Sequence, residues 1–350
     1  MTTAGEFRRI LLIRRKALGD ALVTVPAILE VVQAWPNANI DLVIDRSFAD
    51  LLADLLPEVR VVSWPPGPGK SWLRSLRQGR YDLVIDWLGN PRTAMWTALT
   101  GAPVRVGYDL PRRSWAYNVK VPRNRDQALN LRSFAGEAFL DPLRCLGLTP
   151  APWRDSVLSA QQETEGNGAG VRDALVGWSG QWLARQGVPV VVVMSATREA
   201  KKWPALAVVD LLGEMPPLGA NPILVTGPGD EWLESALPPE LRQRVLAPET
   251  NLPELAFLLR QAPLFVGTDC GPRHLAAALG LRTLTVFGPT DPAGWNPPSP
   301  RHVSIQHVVE CAPCHWDECP VAGHPCLNEL DSGTVLAQVG RMLAIMGEDK

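Results

Sequence analysis

Residues 263–289 read PLFVGTDCGPRHLAAALGLRTLTVFGP, and their punctuation decides the fold. Leu264–Thr268 is a short apolar run of the kind buried on both faces of a parallel sheet. Asp269–Gly271 makes a turn, and Pro272 stands where a first helical residue belongs, since its missing N–H costs nothing there. A helix from His274 to Leu279 follows, Gly280 suits its C-terminal stop, and Arg282–Phe287 is the next strand. A helix that starts at the C-terminal end of a buried strand aims free N–H groups and a positive dipole end into the crevice above the sheet, which suits a diphosphate. Asp269 and His274 sit at that mouth. Taken alone, Asp269 also suits a helix cap and His274 a first-turn surface position.

The same alternation runs through the rest of the 350 residues. In the first half, strands are expected at Arg8–Arg14, Ile40–Ile44, Val59–Val62, Tyr81–Asp86 and Val104–Gly107. Helices fall between them, from Ala21 to Ala34, Phe48 to Leu55, Ser71 to Gly79 and Thr93 to Thr100. Residues 65–69 (PPGPG) form a loop. Asp20 follows Gly19 at the start of the first helix, where an N-cap is the plain reading, worth about 1 kcal/mol. Pro26 suggests that this helix is short or kinked at its first turn. Asp86–Pro91 lies at a strand's C-terminal end, the functional rim of such sheets. Residues 129–147 read as one amphipathic helix. Strands and helices alternating this closely argue for a doubly wound α/β domain.

Residues 149–170 lose periodicity and turn Gly-rich, which places a domain boundary there: 1–165 and 166–350. The second half opens with a helix at Val171–Gln186 and the apolar strand Val188–Met194. Ser195–Pro204 follows at that strand's end, then a helix to Gly213, a strand at Ile223–Thr226 and the turn Gly227–Glu231. A further strand at Val245–Ala247 and a helix at Leu252–Leu259 lead into the opening motif. Two such domains facing across a cleft suit a nucleotide-sugar or dinucleotide ligand.

Charge is uneven. Residues 1–165 carry 21 Lys and Arg against 17 Asp and Glu, a net of +4, which leaves 13 against 19, a net of −6, for the remainder. A basic first half suits an anionic partner but falls far short of a nucleic-acid binder. Arg112, Arg113, Lys120, Arg123 and Arg125 cluster there, either as a solvated basic loop or as contacts to a phosphorylated or carboxylated acceptor. The opening MTTAGEFRRILLIRRK does not read as a secretory signal, and no apolar run approaches the roughly 20 residues of a membrane span. A cytoplasmic protein, touching at most a membrane surface, is expected. Cys311, Cys314, Cys319 and Cys326 follow a C-x2-C-x4-C-x6-C spacing with His315 and His324 among them. That density favours structural zinc, with iron as the alternative, over disulfides or reduced thiols.

With these motifs in hand, the chain resembles glycosyltransferase family 9, the lipopolysaccharide heptosyltransferases. Three segments carry the likeness: Leu18-Gly19-Asp20 through Thr24 and Pro26, then Ala196-Thr197-Arg198 with Lys201-Lys202-Trp203-Pro204, and Gly267-Thr268-Asp269-Cys270-Gly271 through His274 with Phe287–Pro292. The resemblance implies a GT-B fold, with acceptor on the first domain, donor on the second and a last helix, Val335–Met346, crossing back to the first. It implies inverting transfer of L-glycero-D-manno-heptose from ADP-heptose to a lipid-linked lipopolysaccharide core sugar at the inner membrane, with no metal for chemistry. Asp20 matches the family's base. Thr197, Lys201, Asp269, Cys270, Gly271 and His274 match donor and diphosphate positions, and Asp230 or Glu231 the acidic residue near the nucleoside. Arg112, Arg113 and Lys120 would face the acceptor. Cys270 replaces the family's Thr or Ser, a weaker side-chain donor beside an N–H that still donates. Another nucleotide sugar or glycan acceptor, and an inactive nucleotide- or metal-binding homologue, are the competing readings.

Overall fold

Apolar runs too short for helices build two parallel sheets. The computed structural model describes residues 6–64, 69–123, 134–153 and 171–348, and divides into the units Met1–Arg154 and Asp155–Lys350. In the first unit the strands are β1 (Arg9–Ile13), β2 (Asn39–Asp45), β3 (Arg60–Trp64), β4 (Leu83–Asp86), β5 (Val104–Tyr108) and β6 (Val119–Val121). They lie in the order β3-β2-β1-β4-β5-β6, every neighbouring pair parallel. Ile10–Ile13 and Leu83–Ile85 are almost wholly buried because helices cover both faces. Strand order reverses between β1 and β4, and ligands of such sheets sit above the carboxyl ends at that point.

The second unit holds β7 (Val188–Val193), β8 (Ala220–Leu224), β9 (Leu264–Thr268), β10 (Arg282–Phe287) and β11 (His302–Gln306), in the order β11-β10-β9-β7-β8. Its reversal lies between β7 and β9. These two backbones meet where Val193 pairs with Gly267, and a Cβ at Gly267 would stand 2.3 Å from Val193 O. The core of this unit gathers Val190, Val192, Trp203, Leu211, Val266 and Leu284, with Trp203 Nε1 donating to Leu330 O at 3.0 Å. The C-terminal helix Ser332–Glu348, which the resemblance sends toward the first domain, gives Val335, Val339 and Met342 to this same core.

Several expectations need revision. The first helix runs unbroken from Leu18 to Ala34 through Pro26, and Ala17 rather than Asp20 is its N-cap. Residues 129–147 do not form one helix: residues 129–133 lie outside the described residues, and Ala135–Ala138 and Asp141–Cys145 are separate short helices. Pro142 opens the second of these, and proline belongs in a first turn, not mid-helix. Val245–Ala247 contributes a helix end and one isolated bridge, Leu224 to Leu246, in place of a strand. β6 and β11 were not expected. The loop at 65–68, Arg125, and 154–170, where the boundary at 165 falls, lie outside the described residues.

Candidate active site

The loop leaving β1 carries Asp20. It is the third residue of its helix, and its Oδ2 accepts the Ala17 N–H at 3.3 Å. Its Oδ1 stands 2.5 Å from Arg14 Nη2. Arg14 ends the buried strand, is 5% exposed, donates to Trp87 O at 3.1 Å and lies over the Phe139 ring. Asp20 keeps 28% of its side chain in solvent. A carboxylate with one cationic partner and part of its surface in solvent can accept a proton. Asp86, at the end of β4, cannot serve that way. It is fully buried and accepts from Leu88 N, Gly89 N and Tyr117 Oη at 3.0, 2.9 and 2.7 Å. Burial pushes its carboxyl up, against those hydrogen bonds. Asp86 shapes the loop.

The expected acceptor cations divide. Arg113 donates to Gly89 O at 3.0 Å, bracing the same loop. Arg112, with φ of 64°, and Lys120 on β6 are exposed. Trp115 beside them is 64% exposed.

In the second unit, the loops leaving β7 and β9 meet at the strand reversal. Thr268 Oγ1 donates to Ser195 O at 2.7 Å, tying one loop to the other. Lys201 lies on the short turn Glu199–Lys201, with its Nζ 2.5 Å from Asp269 Oδ2. Asp269 Oδ1 also takes Arg273 Nη2 at 3.1 Å. Burial pushes the Asp269 carboxyl up, but the charges of Arg273 and Lys201 win and hold it well below the usual range. Asp269 is therefore not the cap. Cys270 is the N-cap of Gly271–Ala278, with no side-chain cap bond, and burial pushes its thiol up to about 11, so it stays neutral.

His274 is 6% exposed rather than a surface residue, because the first turn faces the sheet. Burial, then Arg273, hold it well below its ordinary value. Arg273 Nη2 lies 2.9 Å from His274 Nε2. A guanidinium only donates, so Nε2 accepts and the neutral ring carries its proton on Nδ1. Gly271 is half-buried and Thr197 exposed. Asp230, 3% exposed, accepts Gly227 N at 2.8 Å and the Ser195 hydroxyl, so its carboxylate folds its own turn. Glu231 next to it is exposed. Sequence reading passed over Arg14 and Arg273. The signals were a charge closing an apolar strand and an Asp-to-Arg spacing of four across a helix start.

Cys311, Cys314, Cys319 and Cys326 line one cavity of about 30 Å³ with Ala200, Pro289 and His324. Burial, then Cys319, Cys311 and Cys314, push Cys326 up to about 11. Among the described residues, no three His, Cys, Asp or Glu side chains stand at metal-holding geometry, so the thiols surround this space without converging on a point.

Known proteins give this arrangement relatives. Lipopolysaccharide heptosyltransferase 1 of Pseudomonas aeruginosa is 26% identical over 333 residues, which is 89% of this chain and 87% of that protein. The structure of Escherichia coli ADP-heptose lipopolysaccharide heptosyltransferase II superposes with a TM-score of 0.75 at 19% identity, covering 98% of this chain and 100% of that one. The iron-containing dodecameric glycosyltransferase TibC of enterotoxigenic E. coli gives 0.57 at 17% identity, over 97% of this chain and 77% of that one. The fold is thus that of the GT-B heptosyltransferases, two Rossmann-like domains. The profile of glycosyltransferase family 9 (heptosyltransferase) matches residues 70–324, and the chain belongs to that family.

Proposed function

We propose that this protein transfers L-glycero-D-manno-heptose from ADP-heptose to an inner-core sugar of lipopolysaccharide, with inversion at the anomeric carbon. The observation that carries this is the cluster of Lys201, Asp269 and Arg273 at the N-terminus of helix Gly271–Ala278, above the β7–β9 reversal. Lys201 and the N–H groups of the helix's first turn can meet an anion there, with Asp269, backed by the buried Arg273, holding Lys201 in place meanwhile. A donor diphosphate would take Lys201 as its partner, and the amides of Cys270 and Gly271 and the hydroxyl of Thr197 would share its oxygens. As the sugar's bond to the diphosphate breaks, that charge stabilises the leaving group. Asp20 takes the proton of the acceptor hydroxyl, held to the task by Arg14. Nucleoside contact falls to the exposed Glu231, since Asp230 is occupied. His274, neutral, faces the donor as a hydrogen-bond group.

Arg112 and Lys120, with exposed Trp115, suit an anionic, lipid-linked acceptor and contact with the cytoplasmic face of the inner membrane. No helix of the described residues is long and apolar enough to cross a membrane. The four thiols suit a soft cation, zinc or iron, by donor chemistry, and TibC is iron-containing. Such an ion would cross-link the 311–326 segment and take no part in the transfer.

Calorimetric titration with ADP, UDP and GDP tests the donor half, and mass spectrometry of a heptose-deficient core after incubation with ADP-heptose tests the whole. Selective ADP binding and a mass gain of one heptose are expected. Preference for UDP would assign another nucleotide sugar to the same fold, and no nucleotide binding would identify an inactive homologue.

A further inference from the structure

The guanidinium of Arg14 meets more than Asp20, and its other contacts converge on Trp87. Just past β4 the Trp87 N–H donates to Ile13 O at 3.1 Å and keeps the chain on β1. Asp86 then draws in the N–H groups of Leu88 and Gly89, and with Gly89 at a φ of 60° the backbone turns away from the sheet. The turn leaves the Trp87 carbonyl facing Arg14 Nη1, which donates to it at 3.1 Å. The side chain of Trp87 adds a second support. Its indole Nε1 donates to Phe139 O at 2.8 Å, and the centre of the Phe139 ring lies 4.7 Å from the guanidinium carbon of Arg14. Trp87 is 1% exposed and Phe139 3%, so both contacts are shut off from water. Trp87 thus reaches Arg14 twice, through its own carbonyl and through the ring it anchors.

The change of charge at Asp20 gives these contacts a use. Asp20 is an anion before transfer and neutral once it has taken the acceptor hydroxyl's proton, so Arg14 loses its counter-charge as the reaction proceeds. A guanidinium buried this deeply needs other partners to stay in place. The Trp87 carbonyl and the Phe139 face are uncharged, and they hold it whether Asp20 carries the proton or not. Resting on the reading above of Asp20 as the base, we propose that Trp87 is a positioning residue for the proton transfer: it fixes Arg14, and Arg14 aims Asp20 at the acceptor hydroxyl. Trp87 touches no reacting atom, and its effect passes through Arg14.

The experiment uses the full chain, with transfer from ADP-heptose to a heptose-deficient core followed as kcat and KM, and ADP affinity measured by calorimetry beside it. Trp87→Phe keeps an aromatic ring and removes the indole N–H. It should lower kcat about fivefold, the worth of one hydrogen bond, with the KM for ADP-heptose and the ADP affinity within about twofold of the parent. Phe139→Leu keeps the carbonyl for the indole and removes the ring over Arg14, and it should lower kcat several-fold in the same way. A double variant supplies the readout that a packing role would not move. In an Asp20→Asn background, assayed in single turnovers, either substitution should cost nothing further, because no carboxylate is left to aim. An equal fractional loss in both backgrounds overturns the action through Asp20. Unchanged kcat in both single variants, or a matching loss of ADP affinity in both, overturns the positioning role while the parent's activity still stands for the transferase. A parent that transfers no heptose ends the transferase reading, and the positioning role with it.

Discussion

The loop after β1 and the loop after β9 each leave a strand that borders the reversal of its sheet, and they treat a carboxylate in opposite ways. Asp20 meets one guanidinium and keeps 28% of its side chain in water, whereas Asp269 meets Lys201 and Arg273 and keeps 9%. Burial explains the difference in use. An ionised carboxylate closed in with two cations is a permanent counter-ion, because protonating it would leave both charges uncompensated. One with a single cationic partner and access to water can still take a proton. On the proposed reading, the same doubly wound scaffold would give a base from one unit and an anion cradle from the other.

Substitutions can break this contrast, and the largest effect belongs to the open carboxylate. Asp20→Asn should lower turnover by roughly 10²–10⁴ and leave ADP affinity within about twofold, as rate assays beside calorimetry would show. Near-normal turnover would put the base elsewhere. Asp269→Asn should act on folding instead. It strands Arg273, which is wholly buried, and should cost about 3–5 kcal/mol in denaturant unfolding. A loss under 1 kcal/mol, roughly that of a surface pair, would show that the cradle does not need its counter-ion. Arg14→Met should come next, lowering turnover by about tenfold through a misplaced Asp20, with Arg14→Lys recovering part of it. Identical rates in both variants would reduce Arg14 to packing.

The smallest effect is a pH dependence. His274 is held below its ordinary value in the folded chain, so only the unfolded chain takes up its proton as pH falls below about 6.5. Stability should therefore drop on acidification through that range, and His274→Asn should flatten that limb of a melting curve measured from pH 7.5 to 5. A parallel curve for the variant would mean that His274 titrates normally.

Central strands announced themselves in the sequence because burial on both faces demands unbroken apolar runs, as in ILLI of β1 and VVVV of β7. The edge strands β6 and β11, VKV and HVSIQ, are part-exposed and carry no such run. The family resemblance singled out Asp20 and Lys201, and the turn before its helix singled out Asp269. Neither could say which of them would be spent inside the protein. Asp230 and Arg113 look equally available on paper, and only the folded turns show one given to Gly227 and the other to Gly89. Burial of His274 was hidden for a related reason: a helix's first turn can face either water or sheet, and four residues of sequence do not choose.

Gly267 looks like part of a ligand motif, but its neighbours are Val193 O and the Phe265 ring. A methyl group there would act as a wedge between β7 and β9, the two rails from which Lys201 and Asp269 hang. Gly267→Ala would thus widen the gauge of the nucleotide site while altering none of the side chains assigned to the ligand, and a defect in donor binding would trace back to a residue that never touches the donor.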